Sequence, residues 1–367
     1  MPLIPHRLVR LQPYYGYRTP RSLHVGARAL RSGKSEFASG GRWQAFRTML
    51  AQFASHEVSD LPVRLEIALP DGSHENFETR TDREGYACFD VTLPDEWEMP
   101  RHTSWEVVAM HWHNEDGAQC VEGHVLAPGL DARLGVVSDI DDTIIETGIT
   151  GGWRSAMRNW RRVLQQMPEE RIAVPGADVF YSSLGGGRVL AAEEAQPGDT
   201  IPATHRPFFY VSSSPWNLYS YLVAFKRDRG LPLGPLFLRD WGLDRGTFGS
   251  SSHEAHKTAA IDRILAAYPD MRFALIGDDT QGDFAAFGKV VEHNPGRVAA
   301  VFIRKAAGVE LATEEIAAKA TIEASGVPLW MGDSYTTGRD FLKAAGMAKD
   351  GNAARIIETV ENDGPSE

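Results

Sequence analysis

The stretch Leu134-Gly135-Val136-Val137-Ser138-Asp139-Ile140-Asp141-Asp142-Thr143 decides the fold and most of the chemistry. The short unbroken apolar run Leu134-Gly135-Val136-Val137 is what a strand buried on both faces requires. It ends in three carboxylates, Asp139, Asp141 and Asp142. Acids so crowded at a buried strand's end repel one another and lose solvation unless a cation or proton relieves them. A helix cap would account for one or two of them, Asp142 most readily, but poorly for all three.

Comparable runs follow at Phe208-Phe209-Tyr210-Val211, Leu236-Phe237-Leu238, Phe273-Ala274-Leu275-Ile276 and Val298-Ala299-Ala300-Val301-Phe302-Ile303. Between them the spacing predicts helices at about 216–228, 255–268 and 281–291. Strands alternating with helices predict an α/β fold around an open, mostly parallel sheet. In such a sheet the ligand site lies beyond the carboxyl ends of the strands. Residues 144–204 interrupt the alternation between the first two core strands. That is too long for a structureless loop, and it reads as a cap over the site.

Polar residues gather where that rule would place them. Ser212, Ser213 and Ser214 close the second run, and Lys257 begins a helix-like segment before the fourth. The fourth run ends in Gly277-Asp278-Asp279-Thr280-Gln281-Gly282-Asp283, three more carboxylates within six residues. A serine turn, a solvated lysine and an N-capping aspartate each explain one feature singly. Six acids at two strand termini of one sheet ask for more, and oxygen-rich clusters of this kind suit Mg²⁺.

Upstream of residue 130 the pattern is β-rich. Val63-Arg64-Leu65-Glu66-Ile67-Ala68-Leu69 alternates apolar and polar, and so do residues 105–113; turns at Pro70-Asp71-Gly72 and around Asp116-Gly117 separate such runs. Short alternating strands at these intervals predict a small β-sandwich-like domain over 1–130, preceded by a helix near 40–55 where Trp43, Phe46, Leu50 and Phe53 recur. Residues 131–350 then form the core with the cap at about 144–204, and 351–367 a tail that can be disordered.

At 367 residues the chain has room for two or three domains, and 43% hydrophobic with 24% charged residues is a globular composition. A net charge of −11 argues against nucleic acid as a partner. The basic residues Arg18, Arg21, Arg28, Arg31 and Lys34 read as solvated surface. Cys88 and Cys120 cannot make a disulfide framework and read as small buried residues in a reducing compartment. Met1-Pro2-Leu3-Ile4-Pro5-His6-Arg7 lacks the apolar stretch of a signal peptide, and no window approaches about 18 apolar residues. The expectation is a cytoplasmic protein whose membrane contact, where it exists, is peripheral. His111-Trp112-His113 reads as a pair of ordinary surface histidines.

Asp139-x-Asp141-x-Thr143, a serine closing strand two, a lysine, and Gly277-Asp278 with Asp283 resemble, in order, the four motifs of the haloacid dehalogenase superfamily. The wider runs Ala132 to Ile144, Tyr210-Val211-Ser212-Ser213-Ser214-Pro215-Trp216-Asn217-Leu218-Tyr219 and Ile276 to Asp283 resemble the catalytic domain of the actin-patch-type phosphatidate phosphatase family, bacterial relatives included. Pro13-Tyr14-Tyr15-Gly16-Tyr17 extends that likeness toward the start. The resemblance implies a Rossmann-like haloacid dehalogenase core and a Mg²⁺-dependent phosphatase that converts phosphatidate to diacylglycerol and phosphate. It implies Asp139 as nucleophile through an aspartyl-phosphate, Asp141 as acid and then base, and Thr143 as a residue that orients the loop. Ser212, with Ser213 as its rival by one residue of register, would contact the phosphoryl group, and Lys257 rather than Lys226 would neutralise it. Asp139, Asp278, the backbone carbonyl of Asp141 and one of Asp279 or Asp283 would hold the metal.

The substrate is less constrained than the chemistry. Trp153, Met157, Trp160 and Leu164 recur at helical spacing, with Arg154, Arg158, Arg161 and Arg162 on other faces. Such a helix could lie on an anionic lipid surface, although an apolar stripe more often packs on a core. A soluble phosphate monoester and a non-catalytic lipid-binding module are the alternatives to an anionic lipid substrate. The second is disfavoured because both Asp139 and Asp141 are retained.

Overall fold

The computed structural model describes residues 8–32, 56–69, 72–93, 97–140, 176–185, 198–239, 250–279, 282–305, 311–344 and 347. Asp141 and Thr143 lie outside the described residues. So do 144–175 and 186–197 of the expected cap, the helix expected at 40–55, the Trp153–Leu164 stripe and the tail. The described residues fall into two compact units. The first holds those up to Arg133 together with those of 188–208 and 215–236; the second holds the rest.

The first unit is built from β1 (Leu8–Pro13), β2 (Gly16–Arg18), β3 (Ser22–Ser32), β4 (His56–Glu57), β5 (Pro62–Ala68), β6 (His74–Arg80), β7 (Tyr86–Thr92), β8 (Ser104–Asn114) and β9 (Gly117–Ala127). Its ladder runs β1-β3-β2-β9-β8-β5-β6, with β4 and β7 also paired to β3. The alternation seen in the sequence appears as burial: β7 buries Ala87, Phe89 and Val91 and turns Cys88 and Asp90 outward. Inward residues of β1, β3, β5, β7, β8 and β9 form one core, with Leu23, Ala29, Leu65, Ile67 and Met110 fully enclosed. Gly16 permits the close approach of β2 to β3, since a Cβ there would sit 2.4 Å from the His24 carbonyl oxygen.

Two expectations fail here. Arg18 is buried, not solvated: its Nε and Nη2 each donate to a Glu106 carboxylate oxygen at 2.6 Å, and its guanidinium lies 4.2 Å over the Trp97 ring. Arg28 is buried as well, over the Tyr86 ring. Both cysteines are free and exposed, because each falls on the outward parity of its strand.

Part of the chain after the first core strand also belongs to this unit. Thr200–Pro202 (β11) pairs antiparallel with β8. The turn Trp216–Leu218 and helix α2 (Tyr219–Asp228) bring aromatic residues to the start of the chain. Tyr14 stacks on Trp216 at 4.6 Å, and the Tyr15 N–H donates to the Tyr219 hydroxyl at 2.6 Å.

The second unit is mixed α/β. It contains β10 (Leu134–Ser138), α1 (Ala177–Gly185), β12 (Phe208–Pro215), β13 (Leu236–Arg239), α3 (Ser250–Ala267), β14 (Arg272–Asp278), α4 (Asp283–His293), β15 (Val298–Arg304), α5 (Thr313–Ala324), β16 (Leu329–Gly332) and α6 (Tyr335–Ala344). The sheet order is β13-β12-β10-β14-β15-β16. β10·β14, β14·β15 and β15·β16 are parallel pairs, so the carboxyl ends of these strands share one edge. The last strand and the last two helices had no counterpart among the sequence expectations. α5 begins with the Glu315 carboxylate accepting from the Ala312 N–H at 2.7 Å, half of a capping box that an Ala312 methyl cannot complete.

Candidate active site

The parallel register Ser138↔Ile276 sets β10 and β14 side by side at their ends. The ladder continues one residue further, where the Asp139 N–H donates to the Ile276 carbonyl at 2.8 Å. Asp139 therefore emerges beside Asp278, the last residue of β14. Two residues of Gly277-Asp278 then do different work. Gly277 leaves room for Asp283, since a Cβ there would lie 2.7 Å from the Asp283 Cβ and 2.8 Å from its Oδ2. The Asp278 N–H donates to Asp283 Oδ2 at 3.2 Å, which ties the first turn of α4 back onto the strand end.

Asp139, Asp278 and Asp283 each offer a carboxylate oxygen within 4.8 Å of the others, and all three are buried. Lys257, on α3, reaches into this group: its Nζ lies 2.9 Å from Asp139 Oδ1 and also donates to Asp283 Oδ1. Burial alone would push the Lys257 ammonium down, but Asp139, Asp283 and Asp278 more than offset that and raise it above its ordinary value. Asp279 is buried too, yet it stands outside the three-carboxylate group, its N–H donating to the Arg304 carbonyl.

Three buried aspartates, Asp139, Asp278 and Asp283, thus face one buried lysine, Lys257, among the described residues around these strand ends, and Asp279 is buried next to them in sequence. The excess of negative charge and an oxygen-only donor set fit a hard divalent cation. The fit is of the kind expected for Mg²⁺, which needs few protein carboxylates and keeps sites for water and phosphate oxygens.

Ser212, Ser213 and Ser214 are all buried near the end of β12, the neighbour of β10. The Ser212 Oγ accepts from the Ser214 N–H at 2.9 Å, which orients its hydroxyl. The Ser213 hydroxyl is buried with no hydrogen-bond partner among the described residues. Since Ser212 and Ser213 alternate on the strand, they point to opposite faces. Lys226, the competing lysine, is buried in the other unit, and burial pushes its ammonium well down.

Sequence reasoning missed a set of hydroxyls behind Asp139. Ser138 Oγ donates to the Asp139 carbonyl at 2.6 Å and lies 2.7 Å from the Tyr181 hydroxyl of α1. Tyr181 is in turn hydrogen-bonded to Tyr335 of α6. Burial raises the pKa of both phenols, so both remain protonated and able to donate.

Residues 134–305 match the family model of the phosphatidate phosphatase APP1 catalytic domain. The Saccharomyces cerevisiae protein named phosphatidate phosphatase APP1 is 30% identical over 171 residues, 47% of this chain. That stretch is 26% of the yeast protein, so the chain spans about a quarter of the length of the relative it matches. Residues 134–305 are thus APP1-catalytic-domain-like, as their motifs implied. Among solved structures, a Parabacteroides merdae β-glucuronidase matches at 9% identity and a TM-score of 0.26, over 89% of this chain and 40% of that one. A Cellvibrio japonicus family two carbohydrate esterase matches at 11% identity and a TM-score of 0.16, over 94% and 96%. Neither likeness is close enough to carry an argument.

Proposed function

We propose that this chain, similar over residues 134–305 to the phosphatidate phosphatase APP1 catalytic domain, is a magnesium-dependent phosphatase that converts phosphatidate to diacylglycerol and phosphate. The observation that carries the reading is the buried group of Asp139 and Asp278, at the ends of two adjacent parallel strands, with Asp283 at the start of α4, closed by Lys257. A haloacid dehalogenase type of core belongs to the same proposal; of the span 144–204 expected as its cap, α1 packs on that core and Thr200–Pro202 pairs with β8 instead.

Asp139 is the nucleophile. One of its carboxylate oxygens bonds to phosphorus as the bond from phosphorus to the ester oxygen breaks, forming an aspartyl-phosphate. Asp141 gives a proton to the departing alkoxide, then takes one from the water that attacks the phosphorus, so that phosphate leaves and the Asp139 carboxylate is restored. Lys257, a fixed cation between Asp139 and Asp283, stabilises the charge on the transferring group without having to reorganise. Ser212 donates to a phosphoryl oxygen, with Ser213 as a second buried hydroxyl at the same strand end and Thr143 orienting the loop.

Asp139, Asp278, the backbone carbonyl of Asp141 and Asp283 would hold Mg²⁺, with Asp279 in an outer position. When bound, the cation offsets the clustered negative charge and polarises the phosphoryl oxygens. The protein's own contribution is to hold the acids in a buried, oxygen-lined group at the sheet's edge.

The test is phosphate release from vesicles containing phosphatidate and, in parallel, from water-soluble phosphate monoesters, with Mg²⁺ or with chelator. Mg²⁺-dependent turnover of the vesicle substrate, absent in Asp139→Asn, is expected. Turnover of soluble esters alone would move the substrate to that class, and no turnover of either would leave a lipid-binding module.

A further inference from the structure

We propose that Tyr181 is a positioning residue for Asp139, acting through a hydrogen-bond chain from Tyr335 through Tyr181 and Ser138 to the Asp139 carbonyl. The inference rests on the reading of Asp139 as nucleophile.

Counting hydrogens gives the chain its direction. The single hydroxyl hydrogen of Ser138 is committed to the Asp139 carbonyl at 2.6 Å. The 2.7 Å contact between Ser138 Oγ and Tyr181 must then be filled by the Tyr181 hydrogen. With that hydrogen spent, the hydrogen bond between the two phenols is donated by Tyr335. Each hydroxyl therefore donates toward the nucleophile, and such chains polarise in one direction.

The chain acts where restraint is needed. Carboxylates of Asp139, Asp278 and Asp283 crowd within 4.8 Å, and the part of their repulsion that Lys257 does not offset pushes on Asp139. Both backbone polar groups of Asp139 are held against that push, the N–H by Ile276 and the carbonyl by Ser138. The two tyrosines are themselves held by packing. Phe180, next to Tyr181, stacks on Tyr335 at 4.8 Å and meets Phe302 edge-on at 5.2 Å. Gly338 of α6 admits the Phe180 ring, since a Cβ there would lie 3.2 Å from it.

The experiment compares wild type, Tyr181→Phe, Ser138→Ala, the double variant and Asp139→Asn on the substrate that wild type hydrolyses best, with melting temperature measured alongside. Tyr181→Phe is expected to lower kcat by about tenfold or more and to leave KM within about twofold, because a small displacement of the attacking group is felt in the chemical step. Ser138→Ala should lose a similar factor, and the double variant no more than Ser138→Ala, since both act through one carbonyl. Tyr335→Phe carries the same expectation in smaller measure and serves if Tyr181→Phe does not fold. Wild-type kcat in Tyr181→Phe, or losses that multiply in the double variant, would overturn the positioning role while Asp139→Asn remained inactive. Turnover that survives Asp139→Asn would overturn the functional reading and this inference with it.

Discussion

Lys257 Nζ lies 2.9 Å from Asp139 Oδ1, and both side chains are almost wholly excluded from solvent. A single buried cation between two buried carboxylates makes the site's charge balance depend on one residue. Because its pKa in the folded protein is raised above the ordinary lysine value, its stabilising contribution is fully present at neutral pH. It fades only as pH rises through the folded-state value. Lys257→Met should cost about 3–5 kcal/mol at pH 7 without divalent cation, the penalty for stranding a buried charge. Denaturant melts measure it, and an unchanged midpoint would contradict the pairing.

Divalent cation should stabilise the protein through the same carboxylates. At a concentration about a hundredfold above its dissociation constant, Mg²⁺ adds about 2.7 kcal/mol. Asp278→Asn should abolish the shift in melting temperature, and Asp279→Asn should keep most of it. A shift unchanged in Asp278→Asn would place the ion elsewhere.

The aromatic knot of the first unit makes a separate prediction. Tyr219→Phe removes the acceptor for the Tyr15 N–H, leaving a donor short of its partner at a cost of about 1–3 kcal/mol. Stability by calorimetry reads this, and a loss below about 0.5 kcal/mol would mean that water replaces the phenol.

Arg18 and Glu106 form a buried ion pair of that unit. Glu106→Gln leaves the guanidinium in the protein interior without its countercharge and should cost about 3–5 kcal/mol. Replacing both residues, as Arg18→Met with Glu106→Leu, should recover much of the loss, because the unpaired charge goes with its partner. A double variant as unstable as Glu106→Gln would assign the energy to the Arg18 contacts with Trp97, Glu98 and Met99 instead.

The strands that carry the candidate site were readable because burial on both faces demands unbroken apolar runs, as in β10, β14 and β15. Acids at such strand ends are costly, which marked the clusters at 139–142 and 278–283, but the sequence left Asp279 and Asp283 as alternatives. Other features depend on pairs far apart in the chain. Nothing local distinguishes Arg18 from its solvated neighbours, since its partner Glu106 is 88 residues away and arrives by sheet pairing. Tyr181 looks like any apolar position of a helix, and only its distance to Ser138 marks it. β16 was missed because Leu329-Trp330-Met331 is too short a run to stand out. The cysteines were misplaced because strand parity, not residue type, set their exposure.

The most direct test of Asp139 as nucleophile is to trap the covalent intermediate. Turnover with Mg²⁺ is stopped by acid, the acyl phosphate is reduced with borotritide, and the labelled peptide is sequenced by mass spectrometry. The account predicts label at position 139, absent in Asp139→Asn and absent without substrate. Steady turnover with no label at position 139, or label on another residue, would contradict it.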